Sequence, residues 1–402
     1  MRSQESFSAS DEAADVVILG GGVIGLSIAR SLARRGVRRV TLIERASPGA
    51  EASSAAGGML AAQAEADRAD AFLELACASR DLYPSFALEL KEETGVDIEL
   101  ERTGTLYLGF TEEDEAEMSR RYHWQASAGL TVQKLTPQEA RLMEPCVSPG
   151  VRSALLFPLD AQVENRRLLA ALVASVEKYG VRLMTSTEAL NVNIERGEVR
   201  SVETSRGTVS APFIIIAGGA WSSLISVNRG AGGRSSNQTS SRMSSELPSL
   251  RIEPVRGQML CFDARQRLAR HVLYSPRGYL VPRMDGRLLA GSTTEQAGFD
   301  KRVTGAGVHA IMTHALEIAP SVGELALMDS WSGLRPRAED DLPVMGTCSS
   351  VRGLVYATGH YRNGILLAPI TGEMIAETVT RGVVPPLLRA FTPDRFQYAS
   401  ML

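Results

Sequence analysis

The sequence predicts an α/β (α+β) chain: a parallel sheet wound with helices, joined to a second region built on an antiparallel sheet. Three observations predict it. Residues 15–43 read as strand, glycine turn, helix and second strand, a βαβ unit of about 30 residues that requires parallel strands. The apolar run 213–217 ends in glycines, as a central strand returning to the same sheet edge would. Between 257 and 290, four short apolar runs follow one another at hairpin spacing, as an antiparallel sheet demands.

The elements follow in order. Residues 1–14 read as a loose, disordered arm. Residues 15–19 are a short apolar run bounded by glycine, hence a buried strand. Residues 24–36 carry Ile24, Ile28, Ala29 and Leu32 on one helical stripe, with Gly36 at the stop. Residues 40–43 form the second strand. The stretch 51–63 is rich in Ala, Ser and Gly, too small-sided to pack a core by itself. A long helix is expected over 67–94, with a stall before Pro84, then a strand over 105–110 and a charged surface helix over 111–126. Thr136 and Pro137 open another helix, with proline at its first position. Residues 165–179 form an amphipathic helix stopped by Gly180, followed by strands at 181–184, 189–194, 199–204 and 213–217. Trp221 then opens a helix as a plain core anchor. Residues 228–249 are low-complexity and polar, and cannot bury enough apolar area to offset ordering entropy. They read as a disordered surface insertion. Strands follow at 257–263, 271–274, 278–283 and 287–290, a helix at 305–318, strands at 328–331 and 354–357, and a last helix at 364–380.

Composition narrows the function classes. The chain has 402 residues, 44% hydrophobic and 22% charged, which suits a soluble globular protein of two or three domains. Lys and Arg number 43 against 46 Asp and Glu, a net charge of −3, so the basic excess a nucleic-acid partner needs is missing. No apolar run reaches the roughly 18–20 residues that would span a membrane. The polar, acidic N-terminus is no secretory signal. The 4 cysteines, Cys77, Cys146, Cys261 and Cys348, form no CxxC, and reduced thiols in a cytoplasmic protein are the simplest reading. The histidines are scattered apart from His309 and His314, so no structural metal is expected.

The first turn carries the sharpest chemistry. Gly20, Gly22 and Gly25 make GxGxxG between a strand and a helix. Gly20 allows the tight turn, Gly22 lets the backbone approach a pyrophosphate, and Gly25 lets the helix lie close to the strand. The helix start at Val23 and Ile24 then offers unpaired N–H groups to the phosphates. Glu44 ends the second strand, placed to accept two hydrogen bonds from an adenosine ribose. The unit is Rossmann-like, and this motif alone does not separate NAD from FAD.

The next segment separates them. Arg45 to Met59, with Glu51, Ala52, Ser53, Ser54, Gly57, Gly58 and Met59, resembles the flavin-contacting stretch of the D-amino acid oxidase/glycine oxidase family of FAD-dependent amine oxidoreductases. The resemblance recurs at Ala217 to Ser222, at Gly278 to Arg283, at Trp331 to Pro336 and at Gly359 to Leu366, in order along nearly the whole chain. The last motif resembles most the glycine oxidases of thiamine biosynthesis, the ThiO type. The resemblance implies non-covalent FAD, since no cysteine stands between Cys261 and Cys348 where some relatives attach it. It implies cofactor contacts at Arg45, Val163 (through its backbone), Gly218, His360, Tyr361, Asn363, Gly364, Ile365 and Leu366, in addition to the residues above. The helix starting at Gly364 would point its dipole at the flavin and stabilise negative charge there.

The resemblance also implies the substrate pocket. Arg335 would bind the carboxylate of a small amino acid with a planar, two-pronged cation. Tyr279 would donate its hydroxyl to the same group, and Arg362 would hold the ligand or the loop at the pocket edge. The implied chemistry is hydride transfer from the substrate Cα to flavin N5, with no catalytic base required and His360 only supporting. O2 would take the electrons, giving hydrogen peroxide, and the imine would yield glyoxylate and ammonia or feed thiazole synthesis. Arg277 and Thr294 depart from the glycine oxidase pattern at the pocket and leave the choice among glycine, sarcosine and small D-amino acids open. A D-amino acid oxidase or dehydrogenase using O2 or a quinone is the alternative; an NAD-dependent dehydrogenase and a non-catalytic flavin-fold protein fit these segments less well. The expected layout is an FAD-binding domain from 15–80, 150–220 and 325–385, and a substrate domain from 81–149 and 250–324. The resemblance implies a homo-oligomer, a homotetramer.

Overall fold

A computed structural model describes residues 13–229 and 250–396. Most of the expected arm and insertion therefore lie outside the described residues. Their described edges correct the expectation. Ala14 is buried and donates its N–H to the Ser210 carbonyl at 2.9 Å. Asn228 and Arg229 finish the strand Ser226–Arg229, which pairs in parallel with Ala189–Glu195.

A six-stranded sheet runs in the order Val344–Thr347, Leu354–Thr358, Phe213–Ile216, Val16–Leu19, Val40–Ile43, Arg182–Met184. All neighbours are parallel except the first pair. Both faces are covered, which is why its central strands read as unbroken apolar runs. Val16, Ile18, Val40, Leu42 and Ile215 pack on a helical layer made by Val23–Arg34, Ala71–Thr94, Asn165–Lys178 and Gly364–Arg381. Val17, Leu19, Ile43, Ile214 and Ile216 pack on the other side against Val192, Val199, Val202 and Val209 of a four-stranded sheet.

The second region is an eight-stranded sheet, antiparallel apart from one parallel pair, Val272–Ser275 with Thr105–Gly109. Its strands alternate with period two. Leu260, Phe262 and Leu280 face the helix Gly305–Ile318, while Met259, Cys261, Tyr279 and Val281 face the opposite way. Two strands are longer than the sequence suggested: Ile252–Asp263 and Ala326–Ala338. Proline usually excludes a residue from a ladder. Here Pro254 and Pro336 face each other where the longer pairing lies beyond the strand Arg287–Gly291, so the ladder tolerates both.

Three segment boundaries change. Ala71–Thr94 is one continuous helix through Pro84, capped by the Asp70 side chain on Leu73 N–H at 3.0 Å and ended by Gly95. Its Tyr83, Phe86 and Leu90 belong to the helical layer of the parallel sheet, so the boundary placed at 80 falls inside that layer. Ser153–Phe157 and Ala326–Ala338 join the eight-stranded sheet, although 150–220 and 325–385 were expected on the nucleotide side. Among the described residues no helix is long and apolar enough to cross a membrane.

Candidate active site

The carboxyl ends of Val16–Leu19, Val40–Ile43 and Phe213–Ile216 meet at one edge, and a cleft of about 1750 Å³, counted to its solvent mouth, opens there and runs to the eight-stranded sheet. The glycines at its head are set by close approach. Gly20 has φ +115°, and a Cβ on it would stand 2.4 Å from the Ala217 carbonyl oxygen. A Cβ on Gly25 would stand 1.9 Å from the Gly20 carbonyl oxygen, so only glycine lets the helix sit on the turn.

Gly20, Gly22, Val23 and Ile24 line the cleft, with the Ser53 hydroxyl accepting from Val23 N–H at 3.0 Å. Glu44 lines it too, its carboxylate fixed by Gly21 N–H at 2.7 Å and Ala46 N–H at 2.8 Å. Ala52, Ser53, Gly57, Gly58 and Met59 form one wall, and Gly218 faces them. Arg45 stacks on the Trp221 ring at 3.7 Å and pairs with Glu51 at 2.7 Å. This overturns the core-anchor reading of Trp221: the indole is half-buried on the cleft wall.

Four expected contact residues do not line the cleft. Gly25 lies behind Gly20. Ser54 points away and offers its carbonyl to Asn165 at 3.1 Å. Val163 is fully buried, its N–H given to the Gly58 carbonyl at 2.9 Å. Leu366 sits in the helical core. A residue that closes the motif Gly278 to Arg283, and to which the sequence assigned no role, ties the wall together. Arg283, almost fully buried, donates to the Val163 carbonyl at 2.7 Å and the Gly57 carbonyl at 2.9 Å. Its signal was an arginine closing an otherwise apolar strand.

At the far end Arg335 comes from the strand Ala326–Ala338 and lies against Gly257 of its neighbour, where a Cβ would stand 2.2 Å from the guanidinium. It donates to the Thr293 carbonyl at 3.0 Å and the Ser292 hydroxyl at 2.7 Å. Burial lowers its pKa from the ordinary arginine value, and among the described residues no carboxylate forms an ion pair with it. A guanidinium half withdrawn from water, hydrogen-bonded only to neutral oxygens, suits a carboxylate entering from the cleft. Tyr279 faces the cleft beside it, its ring against Gly57 and its hydroxyl 3.3 Å from the Met259 sulfur. Arg362 is already partnered: it bonds Glu65 at 2.8 Å and the Tyr274 hydroxyl at 3.3 Å, and the Glu65 charge raises its pKa. Glu65 also lines the cleft and was missed, a single carboxylate in the small-residue run 61–66.

His360, Tyr361, Asn363, Gly364 and Ile365 complete the cleft. Tyr361 holds φ +45° and gives its N–H to the Pro336 carbonyl at 2.9 Å, tying this turn to the Arg335 strand. Asn363 caps the helix Gly364–Arg381 without a side-chain hydrogen bond, leaving first-turn N–H groups toward the cleft. Two helix N-termini thus open into one cleft, an arrangement suited to a ligand with two separate sites of negative charge. FAD, with a pyrophosphate and a ring that gains charge on reduction, fits that donor set. Arg277 is not at the pocket: it pairs with Asp114 at 2.8 Å and Glu317 at 2.9 Å. Thr294 is exposed and does not line the cleft.

His360 is buried, its Nε2 3.1 Å from the Thr371 hydroxyl, and burial lowers its pKa from 6.5 to about 3. It therefore adds no charge to the site at neutral pH. The unfolded chain takes up a proton on this side chain below about pH 6.5 and the folded chain does not, so this contribution to stability is complete above 6.5 and is lost as pH falls toward 3. Replacing His360 with Gln is expected to flatten the acid side of a plot of Tm against pH between those values. An unchanged slope would contradict the assignment.

The family described as FAD dependent oxidoreductase matches residues 15–378. The chain is similar to the glycine oxidase of Geobacillus kaustophilus, 38% identical over 370 residues that cover 91% of this chain and 93% of that protein. It is 34% identical to the bifunctional protein ThiO/ThiG of Trichormus variabilis over 95% of its own length, and spans about half of that relative, 55%. The crystal structure of the Geobacillus kaustophilus glycine oxidase superposes with a TM-score of 0.86 at 37% identity, over 95% of this chain and 98% of that one.

Proposed function

The chain belongs to the FAD-dependent oxidoreductase family, and from that premise we propose that it deaminates glycine and related small amines oxidatively. The observation that carries this reading is Arg335, a half-buried cation facing the cleft with no ion-pair partner among the described residues. It would take the substrate carboxylate on two parallel N–H groups, a geometry lysine cannot supply. Tyr279 would donate its hydroxyl to the same carboxylate and, with Gly57, close the side of the pocket. Bound FAD supplies the two-electron acceptor for hydride leaving the amine carbon. The chain's own residues provide position and field. The N-terminus of Gly364–Arg381 sets a partial positive charge in the cleft, and neutral His360 leaves that field unaltered.

No side chain is assigned as a base. Glu65, a carboxylate in the cleft, is engaged by Arg362, so the substrate amine must arrive uncharged. The product is an imine, which hydrolyses to glyoxylate and ammonia or enters thiazole formation, the latter supported by similarity to ThiO/ThiG proteins. O2 is the proposed acceptor, reduced to hydrogen peroxide. FAD is held without a covalent bond, since none of the four free cysteines lines the cleft. The same reading makes the protein a cytoplasmic homotetramer.

The deciding experiment is anaerobic. Glycine, sarcosine, D-alanine and D-proline are added separately while the visible flavin band is followed. Glycine is expected to bleach the band at a rate comparable with or above the others. Bleaching by the larger D-amino acids alone would move the function to D-amino acid oxidation. A bound flavin that none of them reduces would sink the small-amine reading.

A further inference from the structure

Three charged side chains line the substrate end of the cleft: Arg335, Arg362 and Glu65. The two guanidinium groups are close enough to repel one another, and Glu65 acts on both. Glu65 pairs with Arg362 at 2.8 Å, and the Tyr274 hydroxyl lies 3.4 Å from the same carboxylate. Neither end of this pair is free to swing. Tyr274 is stacked between Tyr107 at 5.2 Å and Tyr279 at 6.0 Å. The turn carrying Glu65 is clamped by the buried Asp160, which accepts from Gln63 N–H and Ala64 N–H at 3.1 Å each. The Glu65 side chain is only 12% exposed.

We infer that Glu65 sets the number of negative charges the site accepts. It pairs with Arg362 and leaves Arg335 as the one of the two guanidinium groups without an ion pair, so the site takes amines bearing a single carboxylate and rejects dicarboxylates. This rests on the carboxylate-binding role proposed for Arg335. A second carboxylate brought to Arg362 would have to lie beside Glu65 or displace it, and either choice leaves a desolvated anion without a partner. Rejection by an unpaired buried charge is an efficient source of specificity. Without Glu65 the same cleft would hold two unmatched cations and suit a dianion.

The test measures binding to the flavin-loaded protein with ligands that carry no oxidisable amine: glycolate with one carboxylate and malonate with two, read by calorimetry. Wild type is expected to favour glycolate. Glu65→Gln keeps an oxygen for Arg362 and removes only the charge. It should raise the malonate-to-glycolate affinity ratio by about tenfold or more, the scale of a close charge pair. Adding Arg362→Met to that variant should return the ratio toward wild type. A purely structural role for Glu65 would leave the ratio unmoved. An unmoved ratio, a gain that persists without Arg362, or a wild type that binds malonate as well as glycolate overturns the inference. Should Glu65→Gln fail to fold, Arg362→Met alone decides: it leaves the Glu65 charge unbalanced near Arg335 and should weaken glycolate by about tenfold. Unchanged glycolate binding there overturns the inference too. Arg335→Ala is measured in parallel. If it binds glycolate as wild type does, the carboxylate role of Arg335 fails, which is a different result from failure at Glu65.

Discussion

Replacing Arg335 with alanine is expected to lower kcat/KM for glycine by about 10²- to 10³-fold, the cost of truncating one partner of a desolvated charge pair. Most of the loss should fall in KM. The carboxylate keeps its charge through the reaction, so its bond to Arg335 contributes similarly to the bound substrate and to the transition state. Lysine should recover little, because its single ammonium cannot reproduce two parallel N–H bonds or span Ser292 and the Thr293 carbonyl as the guanidinium does. The variant should still carry flavin, since Arg335 stands at the far end of the cleft from the glycine turn. Steady-state kinetics with the visible spectrum checks both statements. A kcat/KM within about threefold of wild type would remove Arg335 from substrate binding, being far below the effect of a charge pair.

Gly25→Ala should abolish FAD binding. The new methyl would stand 1.9 Å from the Gly20 carbonyl oxygen, which is backbone and cannot swing aside. The helix Val23–Arg34 must then lift from the sheet, and its first-turn N–H groups leave the cleft. Overpacking of this kind costs about 1–3 kcal/mol or more in stability. The measurement is the ratio of flavin to protein absorbance after purification, together with Tm. Gly305→Ala serves as the control, since nothing lies within 4 Å of its added methyl. A Gly25→Ala protein holding one FAD per chain would show that the close approach is not needed.

The nucleotide end was legible because its requirements are local. Strand, glycine turn, helix and second strand follow one another within residues 16–43, and each is dictated by its immediate neighbours. The helix starts at 111 and 136 were legible in the same way, and the structure closes each with a capping box, Thr111 with Asp114 and Thr136 with Glu139. The substrate end was less so. Arg335 and Tyr279 entered through motif resemblance, since an arginine before proline or a tyrosine in a strand has many bland roles. Arg277 reads from its position as a pocket cation, yet Asp114, 163 residues away, holds it elsewhere.

By itself, the sequence determined the α/β class, the FAD family, the phosphate-cradling turn and most of the cleft's lining. Tertiary structure alone decided that Trp221 stacks on Arg45, that 326–338 belongs to the second sheet, and that Glu65 meets Arg362 across 297 residues of chain. The division has a physical cause. Backbone conformation is governed by neighbours along the chain, so a turn or a cap is written in a few consecutive residues. The charge balance of a pocket depends on which side chains come within a few ångströms through space, and folding alone makes those pairs.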